Sequence, residues 1–317
     1  MEASEETEQF MQVATQKEEE KLSAPTIPQS YPWFVISDGE YLERQIFFSI
    51  SENRFSTKSI PEMRNKMIYA NTNGWLVLKD VDSLDLCVMN PISKEVVQLP
   101  RLETIDDCRI CILSSPPSDP NDHCHIIFFN SKRSIFYFCQ PGDNKFGQQE
   151  FEDRGILDAT MYGGKLYILT LQELFTAEFV GSELRFTVSG MELTKLIPPR
   201  IVCFWTYLIE SCGELLYVHM IYFPAHTVYG FLIFQMDQAE KKWIQVKSIG
   251  ERTIFLANEK GMSCIARERG VKQNSIYFTK YRDRFLYVFD LEDCGISKSL
   301  PCPIVSYNGI NIDWVML

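Results

Sequence analysis

Apolar residues in this 317-residue chain come in short runs of four to six, each closed by glycine, proline, asparagine or aspartate. The stretch from Gly74 to Pro100 carries the pattern most clearly. A continuous run, Trp75–Leu78, follows a glycine; an alternating run, Leu84–Met89, ends in Asn90-Pro91; a third, Val96–Leu99, is stopped by Pro100. Runs of this length rich in Val, Leu and aromatics, bounded by turn formers, predict antiparallel strands joined by tight turns. Asn90-Pro91 supports the boundary, because proline lacks an N–H donor and holds the residue before it extended. The unit is a meander of three or four strands.

The meander recurs. The predicted strands are Trp33–Ile36, Ile46–Ile50 and Phe55–Ile60 in a first repeat, with Gly74–Pro100 as the second. Ile110–Leu113, His125–Phe129 and Ile135–Cys139 make a third, and Lys165–Leu169, Leu174–Phe179 and Leu184–Val188 a fourth. Val202–Ile209, Glu214–Met220, Gly230–Met236 and Trp243–Val246 make a fifth, and Ser263–Ala266, Ser275–Thr279, Phe285–Leu291 and Ser297–Leu300 a sixth. Gly74-Trp-Leu-Val, Gly164-Lys-Leu-Tyr, Gly213-Glu-Leu-Leu-Tyr and Asn274-Ser-Ile-Tyr all set a turn residue before an apolar strand. A spacing of roughly 40 to 60 residues is the period of propeller blades of four antiparallel strands. The expectation is an all-β propeller of six such blades, or seven if the long fifth repeat is two. A leftover run, Asn311–Met316, is expected to complete the first blade with Trp314 as its core side chain, because an open radial edge invites aggregation.

Composition then bounds the rest. With 45% hydrophobic residues the chain can bury a large core. Residues 1–30 form an acidic segment and linker, read as a disordered tail, in which seven glutamates face two lysines, Lys17 and Lys21. The propeller domain is expected over 31–317. A net charge of −11 and the lack of any Lys/Arg block disfavour a nucleic-acid surface. No apolar run approaches the roughly 18 residues of a membrane span. Ten cysteines without framework spacing read as reduced thiols, which places the protein in the cytoplasm, the nucleus or both.

Candidate chemistry is sparse. Cys108-x-x-Cys111 followed by His123-Cys124-His125 invites a zinc reading, but its two histidines are too close together for the usual spacing. On a strand, an offset of three would also point Cys108 and Cys111 to opposite faces. Buried apolar thiols are the better reading. The chain has no nucleophile elbow, phosphate loop or zincin helix. His219 reads as a strand histidine, His226 as a solvated turn residue, and Asp80, Asp82, Asp106 and Asp107 as turn residues bonding their own backbone. No catalytic, cofactor or metal residue is assigned, and no cofactor is expected. Aromatics in strands, such as Phe47-Phe48, Phe128-Phe129, Phe136-Tyr137-Phe138 and Tyr277-Phe278, are expected to pack between blades. Those flanking loops, Tyr222, Phe223 and Tyr229, and the turn Tyr281-Arg282-Asp283-Arg284, are the candidates for a partner surface.

Tyr31-Pro32-Trp33, Gly74-Trp75-Leu76, Asn90-Pro91 with Leu99-Pro100, and Leu113-Ser-Ser-Pro-Pro-Ser118 ahead of His125-Ile126-Ile127-Phe128 together resemble the plant KIB-type β-propeller family. Many of its members carry an N-terminal F-box and are regarded as substrate receptors of SCF-type ubiquitin ligases. The resemblance covers Tyr31 to Trp314; the glutamate-rich segment ahead of it has no F-box pattern. It implies a non-catalytic propeller that binds another protein, a degradation client or an SCF component, and that competes with or complements full-length relatives. The alternative is an enzyme that processes a carbohydrate or small molecule in the propeller channel.

Overall fold

The computed structural model describes residues 32–38, 42–50, 54–72, 74–117, 124–152, 155–193, 204–223, 227–257, 260–280, 285–301 and 311–316. The expected tail, His123, His226, the turn 281–284 and the side chain of Trp314 lie outside the described residues.

Sheet one begins with β1 (Pro32–Asp38), β2 (Arg44–Ser49) and β3 (Arg54–Lys58). Sheet two holds β4 (Lys66–Thr72), β5 (Trp75–Asp80), β6 (Leu86–Met89) and β7 (Val96–Gln98). Sheet three holds β8 (Cys108–Leu113), β9 (Ile126–Asn130), β10 (Ile135–Cys139) and β11 (Gly147–Glu150). Sheet four holds β12 (Ile156–Tyr162), β13 (Lys165–Thr170), β14 (Glu173–Val180) and β15 (Glu183–Glu192). Sheet five holds β16 (Phe204–Ser211), β17 (Glu214–Phe223), β18 (Thr227–Asp237) and β19 (Lys242–Val246). Sheet six has five strands: β20 (Arg252–Ala257), β21 (Lys260–Ile265), β22 (Ser275–Thr279), β23 (Phe285–Asp290) and β24 (Ile296–Pro301). A short helix, α1 (Ala266–Arg269), links β21 to β22. The final strand, β25 (Asn311–Met316), returns to sheet one and pairs with β1 from Pro32↔Met316 to Ser37↔Asn311.

The innermost strands β25, β4, β8, β12, β16 and β21 touch in that order, and β20 touches β25 to close the circle. The core is divided in the same way. One buried cluster fills each junction: Trp33 with Leu76 and Leu78 between sheets one and two, Val77 with Phe128 between two and three, and Phe136 with Ile168 between three and four. Tyr167 with Tyr217, Phe231 with Phe278, and Phe48 with Phe255 mark the remaining three. The strand aromatics therefore pack between sheets, as expected. At the junction of sheets three and four Phe129, Phe136, Phe151 and Phe186 form a chain of ring contacts at 4.8 to 5.8 Å. Such contacts are worth roughly 0.5–1.5 kcal/mol each beyond the area they bury.

The hairpins repeat one local device. Asp80, Asn90, Asn130 and Asp237 each accept, through the side-chain oxygen, backbone N–H groups two and three residues on. The residue four positions on, Leu84, Lys94, Ser134 or Lys241, takes positive φ. Asp or Asn mimics the backbone of a turn in this way, so these positions end strands wherever they recur. Burial alone would raise the Asp80 carboxyl, but the N–H groups of Ser83 and Asp82 outweigh it and hold the acid below its usual range.

The expectation of four antiparallel strands per blade is met by five sheets; sheet six departs from it. There β20 lies between β21 and β22 and runs parallel to β22. Five-residue β19 ends opposite Ile233, midway along β18, so the chain turns back early and enters sheet six from the other end. Close packing there needs Gly261, since a Cβ on it would stand 2.6 Å from Ile209 Cδ1 of sheet five.

Candidate functional site

The zinc and general-base candidates resolve into packing. Cys108 and Cys111 both lie on β8, and the offset-of-three argument fails there. A bulge between Cys108 and Ile110 adds one residue, so both thiols join the cluster between sheets two and three. Cys124 and Cys139 belong to the same cluster. Burial pushes the thiols of Cys108 and Cys139 up to about 12, which keeps them protonated and poorly nucleophilic. Cys124 Sγ donates to Ser115 O at 3.0 Å. His125 stacks on Phe179 at 3.7 Å and meets Gln140 Nε2 at 3.0 Å. No group of three His, Cys, Asp or Glu among the described residues is arranged to hold a metal ion.

His219 is 1% exposed on β17 and packs edge-on against Tyr217 at 4.2 Å. Burial lowers its pKa to about 4, so it is neutral at pH 7. Asp80 sits in a turn as expected, but Asp106 and Asp107 form a single 3₁₀ turn whose carboxylates pair with Lys79 and Lys132. Asp158 is spent on backbone: its Oδ2 accepts the Leu208 N–H at 2.7 Å, tying β12 to β16.

Two features of sheet five stand out instead, one at each end. Strands of each regular sheet run alternately, so the links between first and second strands and between third and fourth share one end of the ring. The links between second and third strands lie at the other. At this second end β17 and β18 form a hairpin of ten- and eleven-residue strands, longer than β16 or β19. Ile221 pairs with Gly230 and Tyr222 with Val228, which leaves Tyr229 as the extra residue of a bulge. It is 70% exposed, more than any other described large hydrophobic residue. A bulge re-aims the side chain it carries, and here it turns an aromatic ring to solvent. Of the three aromatics expected here, Tyr222 is half-buried and the side chain of Phe223 lies outside the described residues.

At the first end a cleft of about 790 Å³ opens between sheets four and five. Two tight turns border it, Gly163-Gly164 between β12 and β13, and Cys212-Gly213 between β16 and β17. All four residues have positive φ, the geometry that matches the twist of a two-residue hairpin. Being so short, these turns leave the space between the sheets uncovered. Tyr162, Tyr167, Met161, Met191 and Met236 supply the apolar lining. Tyr162 packs on Tyr167 at 5.4 Å and donates its hydroxyl to Gly213 O at 3.1 Å across the junction. Lys165, Lys241 and Glu210 line the cleft among exposed residues. Nothing in the sequence joins these residues, because the ring alone brings them together.

Three F-box proteins of Arabidopsis thaliana, two of them provisionally so named, resemble the chain. One is 32% identical over 103 residues, covering 30% of this chain and 28% of the relative. A second is 24% identical over 172 residues, covering 49% of each, and a third is 24% identical over 311 residues, covering 85% and 77%. The matches thus span half or less of the first two relatives' own length. Among solved structures, a chain of a nidogen/laminin complex aligns at a TM-score of 0.42 and 9% identity over 89% of this chain and 98% of that one. The family model described as the KIB1-4 beta-propeller matches residues 47–298, a span that takes in all of sheets two to five, most of sheet six and, from sheet one, β3 and the end of β2. The chain therefore belongs to the KIB1-4 beta-propeller family.

Proposed function

We propose that this propeller is a non-catalytic platform that binds another protein, with the β17–β18 hairpin as its anchor. The observation that carries the reading is Tyr229, 70% exposed at a bulge in the longest hairpin. Tyrosine is enriched among binding hot spots because it offers a large, stiff surface with a polar tip. Kinship with F-box proteins makes a degradation client or an SCF component the partner class, met in the cytoplasm or nucleus. The test is affinity purification with mass spectrometry from plant tissue, comparing the unaltered chain with Tyr229→Ala. Specific partners should be captured by the former and depleted by the substitution. An identical partner set for both would remove the hairpin from the reading, and absence of any specific partner would remove the platform.

A further inference from the structure

Each sheet of the ring leaves one edge to solvent, that of its outer strand, and a free edge offers unpaired backbone groups to another strand. Five of the six outer edges are short or blunted. β3, β7, β11 and β19 run only three to five residues, and β24 carries Lys298 and Pro301, residue types that discourage pairing at an edge. β15 differs. Its residues 183–188 pair one for one with residues 180–175 of β14 before a bulge opposite Leu174 ends the register, and the strand holds neither lysine nor proline. Among the described residues no strand pairs with its outer side.

The side chains along this edge specify what a further strand would carry. Arg185 lies opposite Glu178, whose carboxylate is taken by Lys165, so the guanidinium has no carboxylate partner among the described residues. Lysine, glutamate and arginine thus alternate in sign across β13, β14 and β15, and an acid on the next strand outward would continue the ladder. Thr187 is exposed on the same face, level with Thr176. On the other face Phe186 is half-buried, its ring 5.6 Å from Phe136 and 4.8 Å from Phe151, and Val188 is 50% exposed. That leaves an apolar shoulder which branched side chains opposite it would cover. We propose that β15 takes up an extended segment of a partner protein as a fifth strand of sheet four. The segment sets an acidic residue against Arg185, with an apolar residue on either side of it. Main-chain hydrogen bonds supply the attraction and the alternating side chains fix register and selectivity. The site lies at the rim of sheet four and does not depend on Tyr229.

The test titrates the full chain with a labelled six-residue peptide in which valine alternates with threonine, glutamate and lysine in that order, an antiparallel match to residues 188 to 183. Fluorescence anisotropy should show saturable binding, and hydrogen exchange read by mass spectrometry should slow in residues 183–188 and nowhere else. Arg185→Glu, an exposed change that leaves the melting temperature where it was, should weaken binding about fivefold. A peptide with lysine in place of its glutamate should restore binding to that variant, which loss of structure would not allow. No saturable binding, protection elsewhere, or affinity indifferent to both charge changes would each overturn the proposal. Protection of residues 183–188 that rises with the concentration of the chain alone would give the edge to a second copy and overturn it too. Tyr229→Ala should leave peptide binding unchanged, so the hairpin reading stands or falls separately.

Discussion

The two ends of sheet five are made by the same four strands and have opposite shapes. At one end the chain reverses in two residues, Cys212-Gly213, and the junction with sheet four stays open as a cleft. At the other, β17 and β18 overrun their neighbours and lift Tyr229 clear of the ring on a bulge. In a propeller the sheet cores are similar from blade to blade, so the length of each link decides whether an end is concave or convex. That difference sets what each end can hold: a side chain inserted into the cleft, or a surface laid against the hairpin.

Breaking the ring should abolish both ends together and is the largest effect expected. A chain ending at Ser306 lacks β25, which pairs with β1 over six residues and stands between β4 and β20 in the inner circle. Its loss opens an edge on β1 and uncovers the junctions on either side, a cost comparable to the roughly 5–15 kcal/mol stability of a domain. The truncated chain should express as insoluble protein. Soluble expression with an unchanged melting curve would mean that the circle holds without its last strand.

The sheet cores are legible in sequence and the departures from them are not, for physical reasons. Sheet five can be read almost strand for strand, because Glu214–Met220 and Gly230–Met236 are long, alternating and turn-bounded. The outer strand β11, with sequence Gly-Gln-Gln-Glu, escapes the pattern because it buries no apolar side chain. The inner strands β4 and β12 escape it because bulges at Tyr69 and Leu157 break their alternation. Arg252–Ala257 is a plain apolar run, yet a template of four strands per blade has no place for it, and sheet six has five. Tyr229 is accessible to sequence reasoning as a loop-flanking aromatic. The cleft is not, since Met161, Met191 and Met236 come from three strands of two sheets.

Acid should act on the body of sheet five, between its two ends. His219, buried between sheets four and five, has a folded pKa of about 4 against 6.5 for the free side chain. The unfolded chain therefore binds a proton first as pH falls. Stability is intact above about pH 6.5, is lost progressively down to about pH 4, and levels off below that, with a total loss of about 3 kcal/mol from this residue. The check is denaturant unfolding at pH 7 and pH 4.5 for the unaltered chain and for His219→Leu. The difference between the two pH values should shrink in the variant, since contributions common to both proteins cancel. Equal pH dependence would place the acid sensitivity elsewhere.

The smallest effect should be local to the cleft end. Gly213 has φ of +81° and nothing lies within 4 Å of where a methyl group would project, so Gly213→Ala meets no steric obstacle beyond its own backbone. Alanine in the left-handed region still costs roughly 1 kcal/mol, because its Cβ crowds the adjoining carbonyl. We expect a melting temperature lower by a few degrees at most, since for a domain of this size 1 kcal/mol corresponds to about 2–4 °C or less. The strain falls on the carbonyl that accepts the Tyr162 hydroxyl and on the N–H held by Glu210. The change is confined to this end of the ring, so partner capture through Tyr229 should be unchanged. Loss of partner capture in Gly213→Ala, with the fold retained, would show that the two ends do not act separately.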